Sequence, residues 1–181
     1  EEDAIVVNQL LAEVLYSAKN YKDAIVEFEK TAYGYTSNTK ANDAAYFALL
    51  SYQEWDKQLA ADATARKQIV PQRVASTLKF AEAFPQDANT SVVMQGLIQF
   101  IYENYKEYDD TAKQLSTDIE KQVTRIVATL PQEKSSGLMV QGLTNLYLNF
   151  KDYESAVRTA RALLAIEPPV DETLRLEAAT V

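Results

Sequence analysis

The chain contains no cysteine and no histidine among its 181 residues. The lack of both removes imidazole as a general base, thiolate as a nucleophile, and the nitrogen and sulfur ligands that transition metals prefer. A Ser-His-Asp mechanism is therefore impossible in this sequence. We predict that the chain is not an enzyme and holds no metal and no other cofactor.

Carboxylates are the groups that remain for metal binding or acid-base catalysis. Acidic side chains cluster between two predicted helices, at Glu103, Glu107, Asp109 and Asp110. Such a cluster can bind a hard cation or supply an acid-base pair, but it lacks the ligand spacing of a calcium loop, which favours an acidic, solvated turn. A helical glycan-cutting enzyme would need two carboxylates facing each other across a deep cleft, and no paired motif indicates them.

Basic residues are also outnumbered by acidic ones, so the net charge is -8 and the pI is about 4.7. No general basic surface is available to neutralise phosphates, so binding to nucleic acids or to anionic membranes is disfavoured. No apolar run approaches the ~18 to 20 residues of a membrane span. The expected partners are proteins or peptides, without direct insertion into a membrane.

Glycine and proline are scarce, with four and five residues, so few points interrupt regular structure. Ala, Leu, Glu, Gln and Lys favour helix, and no alternating strand pattern occurs. We predict an all-α chain with helices near residues 4–19, 22–34, 39–56, 71–84, 88–104, 107–129, 135–149, 152–166 and 171–179. The segment 56–70 is predicted to lengthen a helix or add a helical turn, with Pro71 in the first turn of the next helix.

A degenerate motif occurs three times and indicates an internal repeat. It begins at Tyr21, Tyr108 and Tyr153, each followed by two polar residues and then a small one, which is Ala24, Thr111 and Ala156 in turn. Residues at i, i+4 and i+7 share one helix face, which predicts two stripes: Ala24, Phe28 and Thr31, and Ala156, Ala160 and Leu163. An amphipathic segment precedes each copy, so the unit is helix, turn, helix. Such units bury their faces by stacking, which predicts an α-solenoid of antiparallel helix pairs.

These residues resemble the tetratricopeptide repeat family, whose pattern has an aromatic before the second helix, a small residue opening it and a closing proline. The first copy matches with Tyr21, Ala24 and Phe28, and the last matches with Tyr153, Ala156 and Pro168. Taking Ala24, Arg73, Thr111 and Ala156 as equivalent gives spacings of 49, 38 and 45 residues, longer than the family's ~34, so the copies carry insertions. Three lysines replace the family's tight-turn glycine: Lys19, Lys106 and Lys151.

The resemblance implies a concave groove lined by the first helix of each pair, and the partner would bind there. The residues that this register places on that face are Gln9, Glu13, Tyr16, Tyr46, Leu49, Tyr52, Gln53, Leu97, Phe100, Asn104, Gln141, Asn145 and Asn149. Burial in the core between helices is the alternative for the aromatic members. The face has no lysine or arginine, so the chaperone-tail clamp of some family members is not expected.

The resulting prediction is one helical-repeat domain over residues 1–181, with about four helix pairs and a terminal helix. Its expected function is a non-catalytic protein-protein interaction scaffold that binds a peptide or protein in the groove. The alternative is an architectural or self-associating segment of a larger solenoid, without a groove ligand.

The ends of the chain and several connections between helices indicate a longer protein and a cellular location. Asp171–Val181 resembles the first helix of a further unit or a capping helix, and we expect the chain to be part of a longer protein. The segments Tyr33–Asn38 and Leu78–Pro85 resemble repeats of bacterial envelope proteins. They favour a bacterial periplasm or cell envelope, with the cytoplasm as the alternative.

Overall fold

The computed structural model describes residues 2–105, 109–130, 134–166 and 172–181. Of these residues 82% are helical and none is in a strand, which confirms the all-α prediction. The helices are α1 Glu2–Ser17, α2 Tyr21–Tyr33, α3 Ala41–Gln58, α4 Ala63–Ala83, α5 Thr90–Asn104, α6 Asp110–Thr129, α7 Lys134–Asn149, α8 Tyr153–Leu164 and α9 Glu172–Ala178.

The first of two compact units, Glu1–Phe80, contains α1, α2, α3 and most of α4. Helix α2 packs against both α1 and α3. Its predicted stripe is confirmed, because Ala24, Phe28 and Thr31 are all buried. The Phe28 ring stacks on Phe47 with 5.5 Å between centroids and meets Tyr16 edge-on at 6.4 Å. These ring contacts link α2 to α1 and to α3, one turn along α2 from the buried Ala24.

Helix α4 begins earlier than predicted. The sequence places Pro71 in the first turn, but the helix starts at Ala63 and Pro71 lies inside it. The cause is Asp62, whose Oδ1 accepts hydrogen bonds from the backbone N–H of Thr64 and Ala65 at 3.1 and 2.9 Å and so starts the helix. Arg66 then donates two hydrogen bonds to Asp56, at 2.8 and 3.1 Å, and ties the start of α4 to the end of α3.

The second unit, Ala81–Val181, is arranged around α7, which packs against α5, α6, α8 and α9. The stripe predicted on α8 is confirmed, because Ala156, Ala160 and Leu163 are buried. One carboxylate links three helices of this unit: Glu120 on α6 accepts hydrogen bonds from Tyr147 on α7 and Arg158 on α8. Burial alone would raise the pKa of Glu120, but these two hydrogen bonds outweigh it and hold the pKa below its ordinary value.

The repeat register is wrong by one residue in two copies. Thr111, predicted to be the small buried residue of α6, is exposed, and its neighbour Ala112 is buried. Asp109 explains the slip, since its Oδ1 accepts from the N–H of Ala112 and makes Asp110 the first helical residue. In α4, Arg73 is only half-buried whereas Val74 faces the core.

Helices α1 to α3 pack in sequence in the first unit, and α5 to α9 do so in the second, where α9 packs against α7 as well as α8. The solenoid arrangement and its extent as a single domain stay predictions. Several residues used in the repeat argument lie outside the described residues, namely Lys106, Glu107, Tyr108, Pro168 and Asp171.

Candidate functional site

An open groove of about 710 Å³ runs beside α1 in the first unit. Residues of α1 form one wall, and the opposite side comes from the end of α2 and the connection to α3. The lining residues are Glu2, Ile5, Val6, Gln9, Leu10, Glu13, Thr31 and Ser37–Lys40. Two of them, Gln9 and Glu13, belong to the face that the sequence predicts to bind a partner.

Hydrogen bonds of Asn8 and Asn38 hold the groove walls. Asn8 on α1 donates from Nδ2 to the Glu27 carbonyl and to the Thr31 hydroxyl on α2, at 2.7 Å in both cases. Asn38 donates to the Thr31 carbonyl at 2.7 Å and accepts from the N–H of Lys40 at 2.9 Å. These bonds tie α1 and the connection to the same end of α2, so both sides of the groove are anchored on that helix.

The wall of the groove combines apolar and acidic groups. Val6 and Leu10 are exposed there, and the carboxylates of Glu2 and Glu13 lie on the same helix. Gln9 donates to Glu13 at 2.8 Å, while its Oε1 is buried and has no hydrogen-bond partner among the described residues. An unpaired buried oxygen costs free energy, so this amide favours any arrangement that brings it a donor.

The other residues of the first unit that the sequence places on the binding face differ in burial. Tyr52 is buried with an exposed fraction of 5%, so its side chain packs inside the unit, as the alternative interpretation has it. Tyr16 is half-buried and its ring meets Tyr21 edge-on at 5.3 Å. Tyr46 is half-buried with its ring 6.4 Å from that of Phe80, and Gln53 is exposed. Leu49 is buried.

The predicted residues of the second unit divide in the same way. Leu97 and Phe100 are buried, the latter with an exposed fraction of 5%. Asn104 is half-buried and donates to the Phe100 carbonyl at 2.9 Å, whereas Asn145 and Asn149 are exposed. Gln141 donates to Glu177 on α9. Partner binding by these residues stays a prediction.

Glu29 forms a second polar cluster, in the first unit. It accepts a hydrogen bond from the Ser76 hydroxyl at 2.6 Å, and Lys79 Nζ lies 3.8 Å from the centre of the Tyr33 ring. Burial, with a further contribution from Glu29, raises the pKa of Tyr33 and raises that of Tyr52 to about 12. Neither hydroxyl can therefore act as a base near neutral pH, and the cluster serves to fasten α4 onto α2.

The acidic turn has a structural role in the part that is described. Asp109 caps α6, and Glu103 accepts a hydrogen bond from Gln99 at 2.7 Å. Among the described residues, no group of three or more Asp, Glu, His or Cys side chains is placed to hold a metal ion. Within the same residues, no helix has the length and apolar character needed to cross a membrane.

Comparison with protein-family models, with curated proteins and with solved structures finds no match for this chain. The interpretation of the groove therefore depends on its own geometry. Sequence reasoning found Gln9 and Glu13 but missed Ile5, Val6, Leu10 and the connection Ser37–Lys40. The signal for the missed residues of α1 was the width of its apolar surface, which exceeds what one buried face needs.

Proposed function

We propose that the chain is a non-catalytic protein-protein interaction scaffold of tetratricopeptide type, and that its first unit binds a peptide or protein segment in the groove beside α1. The observation that carries the proposal is the groove itself, with exposed apolar side chains between two carboxylates and an unpaired amide oxygen. Apolar anchors within a polar rim are the usual composition of a protein interface.

The chemistry of the groove defines the segment that fits it. Apolar side chains would cover Val6 and Leu10, and a lysine or arginine would pair with Glu2 or Glu13. A backbone N–H that reached Gln9 after a rotation of its side chain would satisfy Oε1. The expected ligand is thus a short segment that carries apolar residues next to a basic one.

The proposal also includes further candidate contact residues and a cellular location. The exposed and half-buried residues Tyr46, Gln53, Asn104, Asn145 and Asn149 stay candidates for further contacts. A bacterial periplasm or cell envelope stays the proposed location. The architectural alternative differs in one observable respect, because it requires no ligand in the groove.

Selection from a random peptide library displayed on phage, with the chain as the target, tests the proposal. The selected peptides should be enriched in an apolar pair beside lysine or arginine. Fluorescence polarisation of a selected peptide should show affinity losses of roughly tenfold for Val6→Ser and for Glu13→Lys, since the first removes an apolar contact and the second reverses an attraction.

Glu103→Lys is the matched control, because it makes the same change of charge at an exposed position of the second unit. It should leave the affinity within about twofold of the unsubstituted chain. Selected peptides that bind equally well to Val6→Ser and Glu13→Lys would show that the groove is not the site. A selection that yields no peptide would favour the architectural alternative.

A further inference from the structure

The wall that α1 contributes to the groove has its charges at the two ends and apolar side chains between them. Glu2 and Glu13 both line the groove and lie about 16 Å apart along the helix axis. Val6 and Leu10 line it between them, with exposed fractions of 62% and 59%. The two carboxylates are too far apart for one basic side chain to reach both. A ligand that uses the whole wall therefore needs a basic residue at each end.

The spacing of successive turns of α1 matches the side-chain repeat of an extended chain. From Glu2 to Val6, and again from Val6 to Leu10, the helix rises about 6 Å. In an extended segment, the side chains on one face recur about every 6.6 Å. Alternate side chains of an extended ligand along α1 would thus meet Glu2, Val6 and Leu10 in turn. The next one would lie about 3 Å beyond Glu13, a distance that a flexible lysine or arginine side chain covers.

The opposite side of the groove suits an extended backbone better than a helix. The residues on that side are Thr31 and Ser37–Lys40, all of them polar. A bound helix would turn a wide apolar stripe towards both sides, and only the α1 side would match it. A helix also pairs its backbone N–H groups internally, whereas an extended segment presents them unpaired. The buried Oε1 of Gln9, which lacks a donor among the described residues, therefore favours an extended ligand.

We propose that the groove ligand is an extended segment of about seven residues, with lysine or arginine at its first and last positions and apolar residues at its third and fifth. This inference rests on the proposed function of the groove. The basic residues pair with Glu2 and Glu13, and the apolar residues cover Val6 and Leu10. The intervening side chains are polar and face the connection Ser37–Lys40. The pattern reads the same in both directions, so it does not depend on the direction in which the ligand runs along α1.

Synthetic peptides with blocked termini test the spacing by fluorescence polarisation. The first peptide has lysine at positions one and seven, leucine at positions three and five, and serine elsewhere. The second has the same composition, but its lysines stand at positions two and six. Because these lysines leave the face that meets α1, the second peptide should bind roughly tenfold more weakly than the first. Equal affinities of the two peptides would overturn the inference.

A third peptide tests the conformation of the ligand. It is a twelve-residue alanine-based helix, held helical by a side-chain staple on its outer face, with lysine at positions one and twelve and leucine at positions five and eight. These four side chains share one face, and the lysines are as far apart as the two carboxylates of the groove. It should bind at least roughly tenfold more weakly than the first peptide, because its backbone offers Gln9 no donor. Tighter binding of the helix would overturn the extended arrangement.

Two variants of the chain test the pairing at the ends. Glu2→Gln and Glu13→Gln should each weaken binding of the first peptide by roughly twofold to fivefold at low salt, since each removes one attraction. A peptide with serine in place of both lysines should bind equally to both variants and to the unsubstituted chain. Glu103→Gln, at an exposed position of the second unit, is the matched control and should leave every affinity unchanged. Sensitivity to only one of the two carboxylates would contradict the two-ended pairing.

Failure of this inference is distinguishable from failure of the proposed function. Peptides from the phage selection that lose affinity for Val6→Ser, but gain none from a second, spaced basic residue, would overturn the inference and leave the groove as a binding site. Binding by none of the synthetic peptides would also overturn the inference. The phage selection then decides independently whether the groove binds any segment.

Discussion

At the scale of single residues, two lysines stand where the chain needs the backbone of glycine. Lys19 and Lys151 have φ of 62° and 61°, the left-handed region that side chains with a Cβ avoid. The same two hydrogen bonds form both turns. The lysine N–H donates to the carbonyl of the residue three positions earlier, and the N–H of the residue after the lysine donates to the carbonyl five positions before itself, all at 2.9 to 3.0 Å. Helices α1 and α7 thus end in the same type of turn, which supports the internal repeat.

Glycine at these two positions should stabilise the fold. Lys19→Gly and Lys151→Gly each relieve about 1–2 kcal/mol of left-handed strain, offset by about 0.4–1 kcal/mol for the greater freedom of glycine in the unfolded chain. We expect a net gain of roughly 0.5–1 kcal/mol in the free energy of unfolding for each, measured by urea titration at a concentration where the chain is monomeric. Lys121→Gly, inside α6, should lose about 1 kcal/mol instead. A loss of stability in Lys19→Gly would contradict the strain argument.

At the scale of helices, the sequence predicts those with a single buried face and misplaces those whose start depends on one capping side chain. Helices α2 and α8 have narrow apolar stripes, and their positions are predicted to within two residues. Helices α4 and α6 are misplaced because Asp62 and Asp109 start them. An aspartate that caps a helix and one that is merely solvated look alike in the sequence.

The stripes make a prediction about α2 and α8. Ala24 and Ala156 are fully buried, with exposed fractions of 0%, so a larger side chain has no space there. Ala24→Leu and Ala156→Leu should each lower the free energy of unfolding by about 1–3 kcal/mol. Ala162→Leu, exposed on α8, is the matched control and should change stability by about 0.5 kcal/mol or less. Melting of Ala156→Leu at the temperature of Ala162→Leu would show that the small residue is not required.

At the scale of the whole molecule, charge and apolar surface are unevenly distributed. Residues 81–181 carry 15 Asp and Glu against 9 Lys and Arg, whereas residues 1–80 carry 11 against 9. The first unit is thus close to neutral, and the second carries most of the net negative charge. The sequence predicts part of the groove, Gln9 and Glu13, because helical periodicity places them on one face. It could not predict that Tyr52 and Phe100 are buried, because an aromatic residue suits a groove and a core equally well.

Alkaline pH should destabilise the chain through its buried tyrosines. Burial raises the pKa of Tyr52 to about 12, with a further contribution from Glu29, and it raises the pKa of Tyr33 in the same direction. In the unfolded chain both hydroxyls ionise near pH ~10. Above that pH the unfolded chain has lost protons that the folded chain keeps, so the free energy of unfolding falls as the pH rises from about 10 towards 12.

Two measurements check this. Urea titrations over that range should show a shallower pH dependence for Tyr52→Phe, and the same slope as the unsubstituted chain for Tyr153→Phe, whose side chain is exposed. Ultraviolet absorbance of tyrosinate should show that some of the eleven tyrosines ionise only as the helical signal is lost. An unchanged slope in Tyr52→Phe would mean that the Tyr52 hydroxyl ionises as readily in the folded chain as in the unfolded one. Burial would then not shield the Tyr52 hydroxyl, and the loss of stability at alkaline pH would have to come from other groups.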